Sequence, residues 1–337
     1  MAEEKLCAVY VDTGTTNSRV WLAHGEEILA KAEAQVGVRD TAKDGSSSRL
    51  RSSLKELIEK VRAQAEDATP VCVAAAGMIT SSLGLAEVPH LAAPAGIAEL
   101  AAAARAYRFS EITDLPVLLV PGVKSGQMPC ELTTVGEADL MRGEETLCAG
   151  LVMLGLAKTP ATVLNLGSHW KAIRLDSGGR IAASVTSLAG ELVYAAQTQT
   201  ILASAVPHER PANVNFDWLE AGMREQRSAG LSRALFCVRL LEQSKRGSAE
   251  DRLNFLIGAF IAADLDALSA RGVLSGSVVI VGSGGLAEAW RHALAQVEIQ
   301  SRIISGEQSE RALLAGLRSI IESVPRAVAS GFPLTGA

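Results

Sequence analysis

Val9-Tyr10-Val11-Asp12-Thr13-Gly14-Thr15-Thr16, followed by Arg19-Val20-Trp21-Leu22, returns half a chain later as Val163-Leu164-Asn165-Leu166-Gly167-Ser168, followed by Lys171-Ala172-Ile173-Arg174-Leu175. Asp12 and Asn165, Gly14 and Gly167, and Leu22 and Leu175 are each 153 positions apart, with no gap between them. In each copy an apolar strand reaches a polar residue and turns on Gly beside small hydroxyl residues. It leaves as a second strand that ends at His24-Gly25 or at Ser177-Gly178-Gly179. Glycine lets a backbone approach an anion closely, and the N–H groups and hydroxyls of such a turn donate to it. Two of these hairpins gripping one polyphosphate predict a two-lobed nucleotide-binding protein.

Length and composition agree. A chain of 337 residues is long for one core, so two domains are expected. Hydrophobic residues make up 48% and aromatics only 4%, which points to a core of Ala, Leu, Val and Ile. A net charge of −5 argues against a general polyanion binder, so no nucleic-acid partner is expected. Cys7, Cys72, Cys130, Cys148 and Cys237 are scattered without a C-x-x-C spacing and read as buried thiols of a reducing cytoplasm. The acidic start, Met1 to Lys5, lacks the basic and apolar regions of a signal peptide. No apolar run is read as reaching the ~20 residues that span a bilayer, so no membrane partner is expected.

Along the first half, Ser46-Ser47-Ser48 is read as the cap of a helix carrying Leu50, Leu54, Leu57, Ile58 and Val61 on one face. Pro70 to Ala76 and Pro116 to Val120 read as interior strands, and Ile97 to Tyr107 as an Ala-rich helix. This alternation is the α/β pattern. The second half is more helical, with a strand at Val278 to Val281 ending in Gly282-Ser283-Gly284-Gly285. Helical patterns at Ala287 to Val297 and Arg311 to Ile321 flank a short strand near Ile299 to Ile304, and the tail after Val324 reads as poorly ordered.

Met141-Arg142-Gly143-Glu144-Glu145-Thr146 opens a helix just before the second hairpin. The free N–H groups and dipole of a first helical turn hold a carboxylate ionised, and an ionised carboxylate near phosphate hairpins suits a general base.

These segments resemble a known family. Asp12 to Thr16 with Arg19, the Gly167-Ser168 turn and Gly282-Ser283-Gly284-Gly285 resemble the phosphate and adenosine motifs of the hexokinase and actin superfamily. Met141 to Thr146, Gly167-Ser168-His169-Trp170-Lys171, Gly190-Glu191-Leu192 and Ala315 to Ile320 resemble the 2-dehydro-3-deoxygalactonokinases. The resemblance implies two ribonuclease-H-like, actin-like ATPase lobes with a cleft between them. The N-terminal lobe, 1–155, would be rejoined by a helix near 311–325, and 156–310 would form the nucleotide lobe. It implies a sugar-acid kinase that phosphorylates the terminal hydroxyl of 2-dehydro-3-deoxy-D-galactonate with ATP and Mg²⁺.

Under that resemblance Gly14, Thr15, Thr16 and Asn17, with Arg19, would meet the β- and γ-phosphates, and Asp12 would position Mg²⁺ through water. Gly167 and Ser168 would hold the phosphates from the other lobe, and Gly282, Gly284 and Gly285 would receive adenosine. Glu144 would be the base, with Glu145 its close rival. Arg142, His169 and Lys171 would answer the sugar carboxylate. Glu191, Ser81, Ser82 and His90 would complete the sugar site. Relatives tend to carry an aromatic at Leu85 and Tyr at His90, which leaves open a related keto-deoxy sugar acid or aldonate. A non-catalytic sugar sensor and assembly as a homodimer also stay open. Gly282-x-Gly284-x-x-Ala287 fits a dinucleotide fingerprint, but about 50 residues are too few for the βαβ units that should follow.

Overall fold

The computed structural model describes residues 5–325. By internal contacts the chain divides into two compact units: unit 1 runs to Gly155 and resumes at Glu310, and unit 2 is Leu156–Ser309. Unit 1 comprises β1 (Cys7–Thr13), β2 (Ser18–His24), β3 (Glu27–Ala34), α1 (Val38–Asp44), α2 (Ser48–Gln64), β4 (Val73–Gly77), β5 (Leu91–Ala92), α3 (Ile97–Ala103), β6 (Arg105–Tyr107), β7 (Val117–Leu119), β8 (Val123–Ser125), β9 (Asp139–Met141) and α4 (Glu144–Met153). Unit 2 comprises β10 (Ala161–Leu166), β11 (Trp170–Leu175), β12 (Ile181–Ser187), α5 (Ala189–Gln199), α6 (Phe216–Ala229), α7 (Leu231–Gln243), α8 (Ala249–Ala270), β13 (Ser277–Val281), α9 (Gly284–Gln296) and β14 (Ser301–Ile304). The last helix, α10 (Gly306–Glu322), begins in unit 2 and continues into unit 1.

The two principal sheets share one topology. In unit 1 the order is β3-β2-β1-β4-β7-β6, and in unit 2 it is β12-β11-β10-β13-β14. Each starts as an antiparallel three-strand meander, and its first strand then pairs parallel with a later one, β1 with β4 and β10 with β13. This is the duplicated α/β arrangement that the repeated hairpin predicts, in the ribonuclease-H-like form that the family resemblance implies. A third sheet, β5-β8-β9, belongs to unit 1.

The register corrects one detail of the repeat. Thr13 pairs with Ser18 in the first hairpin, whereas Leu166 pairs with Trp170 in the second, so the second turn is one residue shorter. Lys171 therefore stands opposite Asn165 as Arg19 stands opposite Asp12, and the strand counterpart of Leu22 is Arg174 rather than Leu175. A one-residue slip exchanges the two faces of a strand, so pairing, not spacing, decides which residues correspond.

Alternation along the meander sends Val9, Val11, Val20 and Leu22 to one face, where they pack on Leu50, Leu54, Leu57, Ile58 and Val61 of α2. Each such burial stabilises by about 1.5–3 kcal/mol relative to exposure. Elsewhere in unit 1, α4 and α10 cross at two glycines. A β-carbon at Gly150 would overlap the Ala312 carbonyl, and one at Gly316 the Thr146 carbonyl. Unit 2 is built around α8, with Trp170 and Trp290 packed edge to face at 5.5 Å.

Three other expectations change. The helix expected over Ile97 to Tyr107 stops at Ala103, because Arg105–Tyr107 is taken as a strand by β7, a tertiary pairing that overrides alanine propensity. Ser47 stands at the cap position of α2, but its hydroxyl accepts from Arg51 Nε at 3.0 Å instead of capping the helix. At 22 residues, α8 is long and apolar enough to cross a bilayer, contrary to the sequence reading, and in unit 2 it forms the core. Most of the tail expected to be poorly ordered, 326–337, lies outside the described residues.

Candidate active site

The tip of the first hairpin carries its polar residues into one pocket. Asp12, near the end of β1, accepts from Arg19 Nη2 at 2.6 Å across the strand pair. The Gly14 N–H donates to the Asn17 carbonyl at 2.9 Å, and the Gly14 and Thr15 carbonyls accept from Val38 and Arg39 at the start of α1. The turn is thus pinned between its own strands and the following helix. Asp12, Gly14, Thr16, Asn17 and Arg19 line a pocket of about 550 Å³, which Glu33, Ala34 and Gln35 complete. Thr15 is exposed beside it. The 33–35 segment was not anticipated, and only the pairing of Arg19 with Glu33 and Ser18 with Ala34 would have revealed it.

Two glycines bring the acidic turn against Asp12. At Gly77, the end of β4, a methyl group would lie 2.6 Å from the Thr13 carbonyl and 3.0 Å from Asp12 Oδ1. At Gly143, the N-cap of α4, it would lie 3.3 Å from Gly77 Cα and 4.0 Å from Asp12 Oδ1. Gly143 also has φ 110, which only glycine adopts without strain. The ends of β1 and β4 and the first turn of α4 therefore converge, and Glu144 is the first residue of that turn.

The two glutamates separate sharply. Glu145 is 1% exposed, and both its carboxylate oxygens accept from the Gly143 N–H, at 2.8 and 2.9 Å. Burial, reinforced by the neighbouring Glu144, raises its pKa from 4.5 to about 8. The expectation of an ionised carboxylate at this helix start therefore fails for Glu145, because desolvation outweighs the backbone donors. Glu144 is only partly buried.

Arg142 acts on the neighbouring loop. Its Nη1 donates to the Thr80 carbonyl at 2.8 Å and to Thr80 Oγ1 at 2.7 Å. Its Nη2 donates to the Val88 carbonyl at 2.8 Å and lies 3.3 Å from His90 Nδ1. Arg142 was read as a partner for a substrate carboxylate, and in the structure these groups hold the segment 80–90. Ser81 is partly buried and donates to the Met78 carbonyl at 2.6 Å, while Ser82 is exposed. Leu85 faces inward and joins the α2 core, so it is not a sugar-facing surface in place of an aromatic.

In unit 2, Gly190 packs against the Gly167 and Ser168 carbonyls so closely that a β-carbon would overlap them, which ties the second turn to the start of α5. His169 Nε2 lies 3.2 Å from Glu191 Oε1. Lys171 is 4% exposed and donates to Thr186 Oγ1 at 2.7 Å, so it is not a solvated surface lysine. After β13, Gly282 packs on Leu166, while Gly284 and Gly285 open α9 and line a pocket of about 330 Å³ with Asn213, Val214 and Phe216. The Gly285 N–H donates to the Pro211 carbonyl at 3.1 Å. The facing segment 211–216 was missed, since nothing in its residue types ties it to a glycine turn some 70 positions away. Phe216 stacks on His292 with ring centres 4.3 Å apart.

A curated protein of Rhizobium meliloti (strain 1021), DgoK1, bears the name 2-dehydro-3-deoxygalactonokinase and is 29% identical over 316 residues, covering 92% of this chain and 96% of its own. The 2-dehydro-3-deoxygalactonokinase of Escherichia coli K12 is 25% identical over 318 residues, covering 94% and 98%. A crystal structure of a Sinorhizobium meliloti protein given the same enzyme name superposes with a TM-score of 0.72 at 25% identity, over 96% of this chain and 98% of that one. The sequence profile of the 2-keto-3-deoxy-galactonokinases matches residues 12–320, from the carboxylate of the first hairpin to the helix that rejoins unit 1, and the chain belongs to that family.

Proposed function

We propose that this protein transfers the γ-phosphoryl group of ATP to the terminal hydroxyl of 2-dehydro-3-deoxy-D-galactonate, giving the 6-phosphate. The observation that supports the reading is the convergence of Asp12, Gly77 and Gly143 at the tip of the first hairpin, with Glu144 the residue after Gly143. The names of the family and of its curated relatives supply the substrate class.

In this reading Glu144 accepts the proton of the sugar hydroxyl as that oxygen forms its bond to the γ-phosphorus and the bond to the β-phosphate oxygen breaks. Glu144 is preferred to Glu145 because it is partly exposed, whereas Glu145 is buried and holds a proton near neutral pH. Unit 1 supplies the sugar and phosphate side through Gly14, Thr15, Thr16, Asn17 and Arg19, with Ser81, Ser82 and His90 toward the sugar. Arg142 contributes by fixing that loop. Unit 2 supplies Gly167 and Ser168 to the phosphates and the Gly284–Gly285 pocket, with Gly282 behind it, to adenosine. His169, Lys171 and Glu191 are assigned to the sugar acid.

Among the described residues no three His, Cys, Asp or Glu side chains gather to hold a metal ion. A lone Asp12 fits Mg²⁺, which keeps several waters and binds through one or two carboxylates and the nucleotide's own phosphates. When bound, Mg²⁺ neutralises phosphate charge. The protein's own part is to place Asp12 and Arg19 and to keep Glu144 in reach.

The test is ADP release with a panel of keto-deoxy sugar acids and aldonates. Release should depend on 2-dehydro-3-deoxygalactonate, and Glu144→Gln should lower turnover by about 10²–10⁴-fold while ATP binding survives. Near-normal turnover of that variant would remove Glu144 from the role, and release that ignores every sugar acid would remove the kinase reading.

A further inference from the structure

Tyr10 shares a face of β1 with Asp12 but serves neither the phosphate pocket nor the α2 core. It is 1% exposed, and its buried hydroxyl has no hydrogen-bond partner among the described residues. A buried hydroxyl left unpaired is costly, so one retained in a packed unit asks what it donates to. Tyr10 lines a cavity of about 50 Å³ whose other walls include Ile28, Glu26, and Arg311, Leu314 and Arg318 of α10. That is several times the roughly 10–15 Å³ one water needs. It shares no lining residue with the pocket around Gly14.

The charges around the cavity favour an anion. The Arg318 side chain is only 14% exposed, yet its ion-pair partner at 3.2 Å is Glu26, whose side chain is 78% exposed. A pair with so exposed a carboxylate holds weakly, while a covered guanidinium keeps a planar fork of donors that matches an oxyanion. Arg311 adds a second cation, and the Lys5 stem lies over Gly25 at the rim. After burial, the groups whose charge acts on the phenol are Cys72, Glu322 and Cys7, which oppose its ionisation, and Arg318, which favours it. Burial raises the Tyr10 pKa, so the hydroxyl remains a donor.

We propose that this cavity is a binding site for a small oxyanion, a carboxylate or a phosphate group, that accepts from the Tyr10 hydroxyl and the Arg318 guanidinium. Glu26 swings into solvent as the ligand enters, and Ile28 and Leu314 cover the alkyl end if the ligand is a short carboxylic acid. The site is independent of the kinase reading and uses none of its residues.

The experiment labels the full-length protein with 3-fluorotyrosine, which gives one ¹⁹F signal for each of its three tyrosines; Tyr10→Phe assigns the one at position 10. Acetate, propionate and inorganic phosphate are titrated separately at constant ionic strength. The Tyr10 signal should move saturably, and Arg318→Gln should weaken that response about tenfold, as loss of a charge-assisted hydrogen bond requires. Glu26→Gln, a change at an exposed residue, should strengthen it. Response to the carboxylates alone identifies a ligand with an alkyl end, and response to phosphate as well identifies recognition of the oxyanion head. A Tyr10 signal indifferent to all three anions overturns the proposal and leaves a hydrated cavity. So does a response unchanged in both variants while the Tyr107 and Tyr194 signals report an intact fold.

Discussion

Replacing Glu145 by glutamine should make the protein's stability less dependent on pH, and the size of the effect follows from its burial. The folded protein holds this carboxyl's proton up to about pH 8, whereas the unfolded chain releases it near 4.5. Between those values the native state binds more protons, so stability must fall as pH rises, and it levels off above 8. At about 1.4 kcal/mol per unit the whole shift amounts to about 5 kcal/mol, of which ~3 kcal/mol is lost by pH 7. Glutamine can still accept from the Gly143 N–H through its carbonyl oxygen, and it has no proton to lose. Urea unfolding of both proteins from pH 5 to 8.5 gives the difference directly, since all other titrations cancel. The wild type should lose stability relative to Glu145→Gln across pH 5 to 8 and then run parallel to it. Parallel curves over the whole range would mean that Glu145 titrates alike in both states, and the account of its burial would be wrong.

Arg142→Met should free the segment 80–90, which loses donors to Thr80 and Val88. Faster amide exchange there and a roughly hundredfold fall in kcat/KM for the sugar acid are expected, because small misplacements cost that much, with KM for ATP little changed. Arg142→Lys should not rescue it, since one ammonium cannot span those acceptors. Gly316→Ala drives a β-carbon into the Thr146 carbonyl and should cost about 1–3 kcal/mol, read as a lower thermal midpoint. Gly306→Ala, in open space at the start of the same helix, should leave the midpoint unchanged or raise it.

Much of the protein is local and therefore legible. A strand that reaches a polar residue, a glycine turn and a returning strand is specified within about a dozen residues, so both hairpins, and with them the α/β class, could be read from Asp12-Thr13-Gly14 and Asn165-Leu166-Gly167. The apolar face of α2 was equally plain, because its period is set by the helix alone. The acidic turn could be located, but not the difference between its two carboxylates. One residue of helical rotation puts Glu145 inside and leaves Glu144 partly exposed, and only the packing around α4 fixes that rotation.

The sequence by itself determined the repeated hairpin and located the acidic turn at Glu144-Glu145. Tertiary structure alone decided that the second hairpin is a residue shorter, that Arg142 grips a loop 54 to 62 positions away, and that 211–216 faces Gly284 and Gly285. The division has one physical cause. Backbone conformation and hydrophobic period act over a few neighbouring residues, whereas strand register, burial of charge and the partners of long side chains depend on which distant segments the fold packs together.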